Sequence, residues 1–354
     1  MLNHKRIRTI IVDDSALFRT AISRGLSAHP EIEIIATAAD AMDAEEKILR
    51  LDPDVVTLDV EMPGMNGLEF LKILMPQHPV RVVVVSAANG IVFEAIRAGA
   101  VNFVAKPDAG DMPAFIDSLA EQIAAAAEAR IPTPMAGRSV QQQEGMGASP
   151  SLTRKMSAAW NARSLVAIGA STGGTEAISA VLKALPGDMP GIVITQHMPP
   201  VFTRMYAERL DKECAMSVRE AQGGELIGPG MAFVAPGDRQ MRVVKQGEQY
   251  FIKLGEADKV SGHCPSVDVL FESVSLSAGD AGVGILLTGM GADGAKGMLK
   301  MRQAGAFTIG QDKNSCVVYG MPMEAMKLGA VARQASLDMV PSVLLNQLKI
   351  QSRV

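Results

Sequence analysis

The sequence predicts an α/β protein built as two doubly wound parallel-sheet domains. Three observations carry this. The chain has 354 residues, more than one hydrophobic core usually serves. Short apolar runs alternate with amphipathic segments, first over residues 1–129 and again over 164–354, which is the pattern of βαβ units. Between them, residues 130–163 lose apolar periodicity and turn to Pro, Gly, Ser and Gln, the composition of a linker.

In the first segment the apolar runs Thr9–Val12, Ile32–Ala36, Val55–Leu58, Val80–Val85 and Val101–Ala105 read as five buried strands. Helical periodicity fills the gaps at Ala16–Leu26, Ala41–Leu51, Gly67–Leu74, Val92–Ala98 and Pro113–Ala129. Within the linker, Met156–Ala162 is expected as a short helix. In the last segment Leu165–Ile168, Ile192–Thr195, Gly282–Leu287 and Phe307–Ile309 read as strands with helices between them. Gly223–Gly255 is rich in Gly and Pro, and its MRVVKQGEQYFIKL reads as a β-hairpin, an antiparallel insertion in the parallel sheet.

Composition narrows the function. A net charge of −4 and 4% aromatics argue against a basic, base-stacking surface, so no nucleic-acid partner is expected. The three cysteines, Cys214, Cys264 and Cys316, fit neither a zinc spacing nor a disulfide framework, pointing to a reducing cytoplasm. The first residues do not read as a signal peptide. No apolar stretch reaches the roughly 18 residues of a membrane span, so no membrane insertion is expected.

Five polar residues fall at strand ends in the first segment. Asp13 and Asp14 end the first strand, Asp59 the third, Ser86 the fourth and Lys106 the fifth. In a parallel sheet these ends share the ligand-binding edge. Three carboxylates gathered there call for a cation, and oxygen ligands suit Mg²⁺. A hydroxyl and an ammonium on the same edge can hold the oxygens of a phosphoryl group on Asp59. With VDDS, LDVEMPGMNGL and VAKP, this segment resembles the flavodoxin-like response-regulator receiver family. The resemblance implies phosphorylation of Asp59 by a histidine kinase or small phosphodonor. It also implies Mg²⁺ binding by Asp13, Asp14, Asp59 and the Glu61 carbonyl, and a switch formed by Ser86, Lys106 and the aromatic Phe103. The Ser86–Lys106 interval is shorter than in many receivers, which places a shortened segment around Asn89–Val92.

In the last segment, SLVAIGASTGGTEAISAVLKAL reads strand, tight turn, helix. Gly169–Gly173 fits the G-x-S-x-G nucleophile elbow with Ser171 exposed in the turn, and the helix start offers free N–H groups to an oxyanion. The turn alone fits a phosphate ligand equally well. Histidine scarcity favours the hydrolase: this segment holds only His197 and His263, and serine's general base is nearly always histidine. His197 directly follows a strand and is preferred as base. His263, in SGHCPSVD, is a candidate substrate contact or loop residue. The third member is Asp293, Asp312 or Asp238, with position after the buried GVGILL favouring Asp293. The alternative for Asp293 is a helix cap.

GASTGGTEAI, QHMPPVFTRMYAERL, APGDR, PSVDVLFES, LTGMGADGAKG and QDKNSCVVYGMP together resemble the protein-glutamate methylesterase family of bacterial chemotaxis. That resemblance implies a triad of Ser171, His197 and Asp293, with Thr172 and the Met290 N–H as oxyanion candidates. It implies no esterase cofactor. Gln240 stands where many members have His. The implied substrates are glutamate γ-methyl esters of chemoreceptors, with deamidation of receptor glutamines at the same site, under control of the phosphorylated receiver. A receiver-controlled hydrolase for another ester or peptide is the alternative. A nucleic-acid-binding output is disfavoured by the acidic balance and the lack of a helix-turn-helix pattern.

Overall fold

The computed structural model describes residues 6–87, 90–107, 111–131 and 160–353. The chain divides into two compact units, Met1–Arg138 and Ser139–Val354. Most of the expected linker, residues 132–159, lies outside the described residues, as does most of the short helix expected at Met156–Ala162. Its described end, 160–162, is not helical. There Asn161 builds a turn, its side chain accepting from the Arg163 N–H at 3.0 Å and its carbonyl from the Ser164 N–H at 2.9 Å, as Asn commonly does outside helices.

The first unit runs β1 (Ile7–Val12), α1 (Ala16–Leu26), β2 (Ile32–Ala38), α2 (Ala41–Leu51), β3 (Val55–Asp59), α3 (Gly67–Gln77), β4 (Val82–Ser86), α4 (Ile91–Arg97), β5 (Asn102–Ala105) and α5 (Met112–Glu128). The strands are parallel in the order β2-β1-β3-β4-β5. β3 and β4 are buried along their whole length, which explains their Val-rich, non-alternating sequences. Helix starts follow local chemistry. Ser15 and Asp40 cap α1 and α2, and Asn66 with Glu69 forms a capping box on α3. α3 continues past Leu74 to Gln77 with Pro76 inside it; so near a helix end a proline interrupts little, and the His78 N–H still reaches the Leu74 carbonyl at 2.7 Å. Sheet order reverses between β1 and β3, which opens a crevice at their carboxyl ends.

The second unit runs β6 (Leu165–Ala170), α6 (Gly174–Lys183), β7 (Ile192–Gln196), α7 (Phe202–Glu213), β8 (Ser217–Glu220), β9 (Met231–Val234), β10 (Met241–Gln246), β11 (Gln249–Leu254), α8 (Val267–Ala278), β12 (Gly282–Leu286), α9 (Ala295–Gln303), β13 (Phe307–Gln311), α10 (Met321–Lys327), β14 (Arg333–Ala335) and α11 (Val340–Gln351). Among the described residues its main sheet has seven parallel strands, in the order β14-β13-β12-β6-β7-β9-β8. The antiparallel insertion is narrower than Gly223–Gly255: only β10 and β11 pair that way, from Met241↔Leu254 to Gln246↔Gln249. Met231–Val234, inside the expected insertion, is instead a parallel strand of the main sheet. β6, β7 and β12 are fully buried. β6 is the switch point of this sheet, with β7 on one side and β12 on the other. Among the described residues no helix is long and apolar enough to cross a membrane.

Candidate active site

An acidic crevice lies in the first unit. Asp13, Asp14 and Asp59 each offer an oxygen, all within 4.8 Å of one another. Asp13 and Asp59 are buried and Asp14 is exposed. The Lys106 ammonium reaches Asp59 Oδ2 at 2.6 Å and Asp13 Oδ2 at 3.2 Å, and lies 5.2 Å from the centre of the Phe18 ring. Asp59 Oδ1 accepts from the Glu61 N–H at 3.1 Å. Burial pushes the Asp59 carboxyl up to about 6, against the pull of Lys106 and the Glu61 N–H and with the help of neighbouring Asp13. An all-oxygen donor set with one member open to solvent suits Mg²⁺, which keeps several of its waters. The Ser86 hydroxyl donates to the Ala87 carbonyl at 3.0 Å. Phe103 is buried and meets Phe93 edge to face, ring centres 6.3 Å apart. Of the expected shortened segment, residues 88 and 89 lie outside the described residues, and α4 begins at Ile91.

In the second unit, Ser171, His197 and Asp293 come from the carboxyl ends of β6, β7 and β12, three adjacent strands. Ala170 pairs with Gln196, and the His197 N–H donates to the Ala170 carbonyl at 3.2 Å, so the chain leaves both strands side by side. On the other flank the Ser171 N–H donates to the Thr288 carbonyl at 3.0 Å. Gln196, buried beneath the turn, donates through Nε2 to the Ser171 carbonyl at 2.9 Å and the His197 carbonyl at 3.1 Å. One amide thereby ties the two loops together.

Two glycines make this close packing possible. A Cβ on Gly174 would fall 2.1 Å from Gln196 Oε1. A Cβ on Gly289 would fall 2.8 Å from Ser171 Cβ and 2.2 Å from the Met321 sulfur. Met290 therefore follows a residue pressed against Ser171. Thr172, the other oxyanion candidate, is buried, and its carbonyl accepts from the Thr288 hydroxyl at 2.9 Å.

Asp293 Oδ2 meets His197 Nε2 at 2.7 Å. The same oxygen accepts from the Val267 N–H at 2.7 Å. Oδ1 accepts from the Ser266 hydroxyl at 2.8 Å and from the Asp268 and Gly294 N–H groups, each at 3.0 Å. Burial raises the Asp293 carboxyl, but His197 and the backbone donors outweigh it and hold it below the usual carboxylate range. In the neutral histidine Nε2 is thus the donor and Nδ1 the acceptor. Nδ1 is buried and has no hydrogen-bond partner among the described residues.

His263 lies flat on His197, ring centres 3.7 Å apart and planes 17° apart. Burial, and then the neighbouring His197, push its imidazole down to about 4. Gln240 is buried as well. Its Nε2 donates to the Asp258 and His263 carbonyls at 2.8 and 3.1 Å, and its Oε1 accepts from the Ser266 N–H at 2.9 Å.

The expected Ser171, His197 and Asp293 are brought together, while Asp312 caps its own turn by accepting from the Ser315 N–H and hydroxyl. Gln196, Ser266 and the start of α8 were not singled out by sequence. A serine directly ahead of the largely apolar VDVLF marks Ser266 as a cap, but nothing local says that it faces Asp293.

Known proteins resemble the chain along its length. A family model for the CheB methylesterase matches residues 166–344, and one for the response regulator receiver domain matches residues 9–117. The chain is 49% identical over 350 residues to "protein-glutamate methylesterase/protein-glutamine glutaminase 2" of Syntrophomonas wolfei, covering 97% of this chain and 99% of that one. It is 47% identical over 349 residues to the protein-glutamate methylesterase/protein-glutamine glutaminase of Salmonella typhi, covering 96% of each. Among solved structures, the Thermotoga maritima CheB methylesterase catalytic domain matches with a TM-score of 0.51 at 35% identity, over 52% of this chain and 97% of that one. The chain belongs to the CheB methylesterase family, with a response regulator receiver domain ahead of the methylesterase domain.

Proposed function

We propose that the chain is a phosphorylation-activated serine hydrolase that demethylates glutamate γ-methyl esters of methyl-accepting chemoreceptors and deamidates receptor glutamines. The observation that carries this is the buried His197–Asp293 pair beside the Ser171 turn, in a chain whose relatives are named for both activities. Residues 164–354 are the catalytic domain, 1–129 the receiver and 130–163 the connection between them.

Ser171 is the nucleophile, His197 the base and Asp293 the group that orients and charges the base. Because Nε2 is committed to Asp293, Nδ1 takes the proton of the serine hydroxyl. Attack on the ester carbonyl gives a tetrahedral oxyanion, held by the N–H groups of Thr172 and Met290. His197 returns the proton to the leaving oxygen and methanol departs. Water, deprotonated by the same imidazole, then cleaves the acyl-enzyme to free the glutamate and Ser171. With a glutamine substrate the leaving group is ammonia and the acyl-enzyme is identical, so one site serves both reactions.

In the receiver, Asp59 is the phosphoacceptor, with a histidine kinase or small phosphodonor as partner. Asp13, Asp14, Asp59 and the Glu61 carbonyl would hold Mg²⁺, which would supply charge neutralisation for phosphoryl transfer. Ser86, Lys106 and Phe103 register the new phosphoryl group. The setting is the cytoplasm, where receptor helices and kinase meet the enzyme.

Methanol release from methylated receptor membranes tests the assignment. Ser171→Ala is expected to lower the rate by about 10³-fold or more while Asp59 is still phosphorylated. Retained release would remove Ser171 as nucleophile.

A further inference from the structure

The hydrogen bond to Asp293 fixes one edge of the His197 ring. It leaves the ring free to tilt about the line through Nε2, and that tilt moves Nδ1, the atom that must meet the serine hydroxyl. A second constraint has to act on the face of the ring. His263 supplies a flat partner there, 3.7 Å away and nearly parallel. The His197 side chain is only 9% exposed, so its packing partners govern its position.

The support behind His263 comes from the neighbouring fold. The backbone around it has no regular secondary structure apart from a single bridge between Val260 and His263. Gln240, just ahead of β10, pins it from inside: its amide holds the carbonyls of Asp258 and His263 and the N–H of Ser266. The last of these residues gives its hydroxyl to Asp293 Oδ1. One buried glutamine therefore sets a loop that touches the His–Asp pair at both members: His197 through the stack and Asp293 through Ser266.

Resting on the reading of His197 as base, we propose that His263 is a positioning residue, stacked on the base to hold its Nδ1 toward Ser171, with Gln240 as the brace that keeps the stack in place. His263 is uncharged at neutral pH, so it does not oppose the charge His197 gains on accepting the serine proton, and its π face favours a cation. It takes no proton itself and need not touch the substrate.

The experiment uses the full-length phosphorylated chain with two readouts: steady-state methanol release from methylated receptor membranes, and the rate at which a fluorophosphonate labels Ser171. His263→Ala is expected to lower kcat and the labelling rate by about 10- to 100-fold, the scale of a small misplacement of a catalytic group, with KM within about threefold of the parent's. His263→Phe keeps a flat ring and is expected to restore both to within about threefold. Gln240→Leu, which removes the three bonds and leaves both imidazoles chemically unchanged, is expected to lower kcat in the same way. His263→Asn removes the ring but not the polarity of this half-buried position, and carries the test if the alanine variant does not fold. A raised KM with unchanged kcat would make His263 a substrate contact and overturn the proposal. So would a phenylalanine variant as slow as the alanine one, or a Gln240→Leu enzyme of full activity. A parent chain that labels at Ser171 but releases no methanol would sink the substrate reading and leave this test intact. A parent chain that does not label would sink the nucleophile, and the proposal with it.

Discussion

Asp293 illustrates how one buried side chain is specified by the groups around it. Five donors converge on its two oxygens, so only an acceptor-only group satisfies the site. Asp293→Asn would turn an amide NH₂ toward donors. The expected result is a kcat lowered by about 10³- to 10⁴-fold with little change in KM, and a stability loss of about 1–3 kcal/mol from the unpaired groups, read by methanol release and chemical denaturation. Gly174→Ala acts through a different neighbour. Its Cβ would push on Gln196 Oε1 and loosen the amide that ties Ser171 to His197. A fall in kcat of about tenfold or more is expected, on the scale of misplaced catalytic groups, and unchanged kcat would show that Gln196 does not tune the pair. His263 makes a pH prediction. Its imidazole titrates near 4 in the fold against 6.5 for the free group, so between these values the unfolded chain binds a proton that the folded one does not. Stability is fully present above about pH 6.5 and drains as the pH falls toward 4. Denaturation midpoints of His263→Phe should therefore fall less steeply over that window, and parallel slopes would refute the burial of a neutral imidazole. Ser171 and His197 were legible in sequence because each ends an apolar run. The stack of His263 on His197 was not, because it joins two loops whose meeting depends on the course of the chain between them. Gln240, noted in sequence only as a departure from the His of many members, is one step removed from His197 and Asp293 and connected to both, through His263 and Ser266.

At the scale of elements, the carboxyl ends of β12, β6 and β7 place the three site residues, and the start of α8 completes them. Val267 and Asp268 are the first residues of α8, and their otherwise orphaned N–H groups point at Asp293. The positive end of the helix thus favours the carboxylate form. Ser266 serves both tasks, capping α8 and donating to Asp293. Ser266→Ala should cost about 1 kcal/mol of stability as a lost cap, and should lower kcat as well, a pairing that a simple cap elsewhere would not give. The central strands β3, β4, β6, β7 and β12 were legible because they are buried throughout and their apolar runs are near-continuous. β8 and β14 escaped notice because they are edge strands of four and three residues, with only Val218 and Ala335 buried. β9 was absorbed into the expected insertion because Gly and Pro flank it closely. Its parallel pairing with β7 is set by contacts distant in sequence.

For the whole molecule, the covalent pairing of a phosphoacceptor with a hydrolase predicts control of one by the other. Each unit has its own sheet and its own buried core, so each should fold alone and unfold in a separate transition. Control then requires a free-energy coupling between two folded bodies, and phosphorylation of Asp59 can act only as far as it biases that coupling. The expected sign is inhibitory: the unphosphorylated receiver restrains the catalytic unit. A fragment of residues 160–354 should accordingly release methanol from methylated receptors about 5- to 150-fold faster than the unphosphorylated full chain, the span of typical coupling energies. Phosphorylated full-length protein should approach the fragment. Asp59→Asn full-length protein should stay slow when phosphodonor is added, whereas the fragment should ignore the donor altogether. A fragment no faster than the unphosphorylated chain would eliminate restraint as the mechanism. If phosphorylation still raised the rate of the full chain in that case, the receiver would be an activator that adds something to the catalytic unit, not a brake that is lifted.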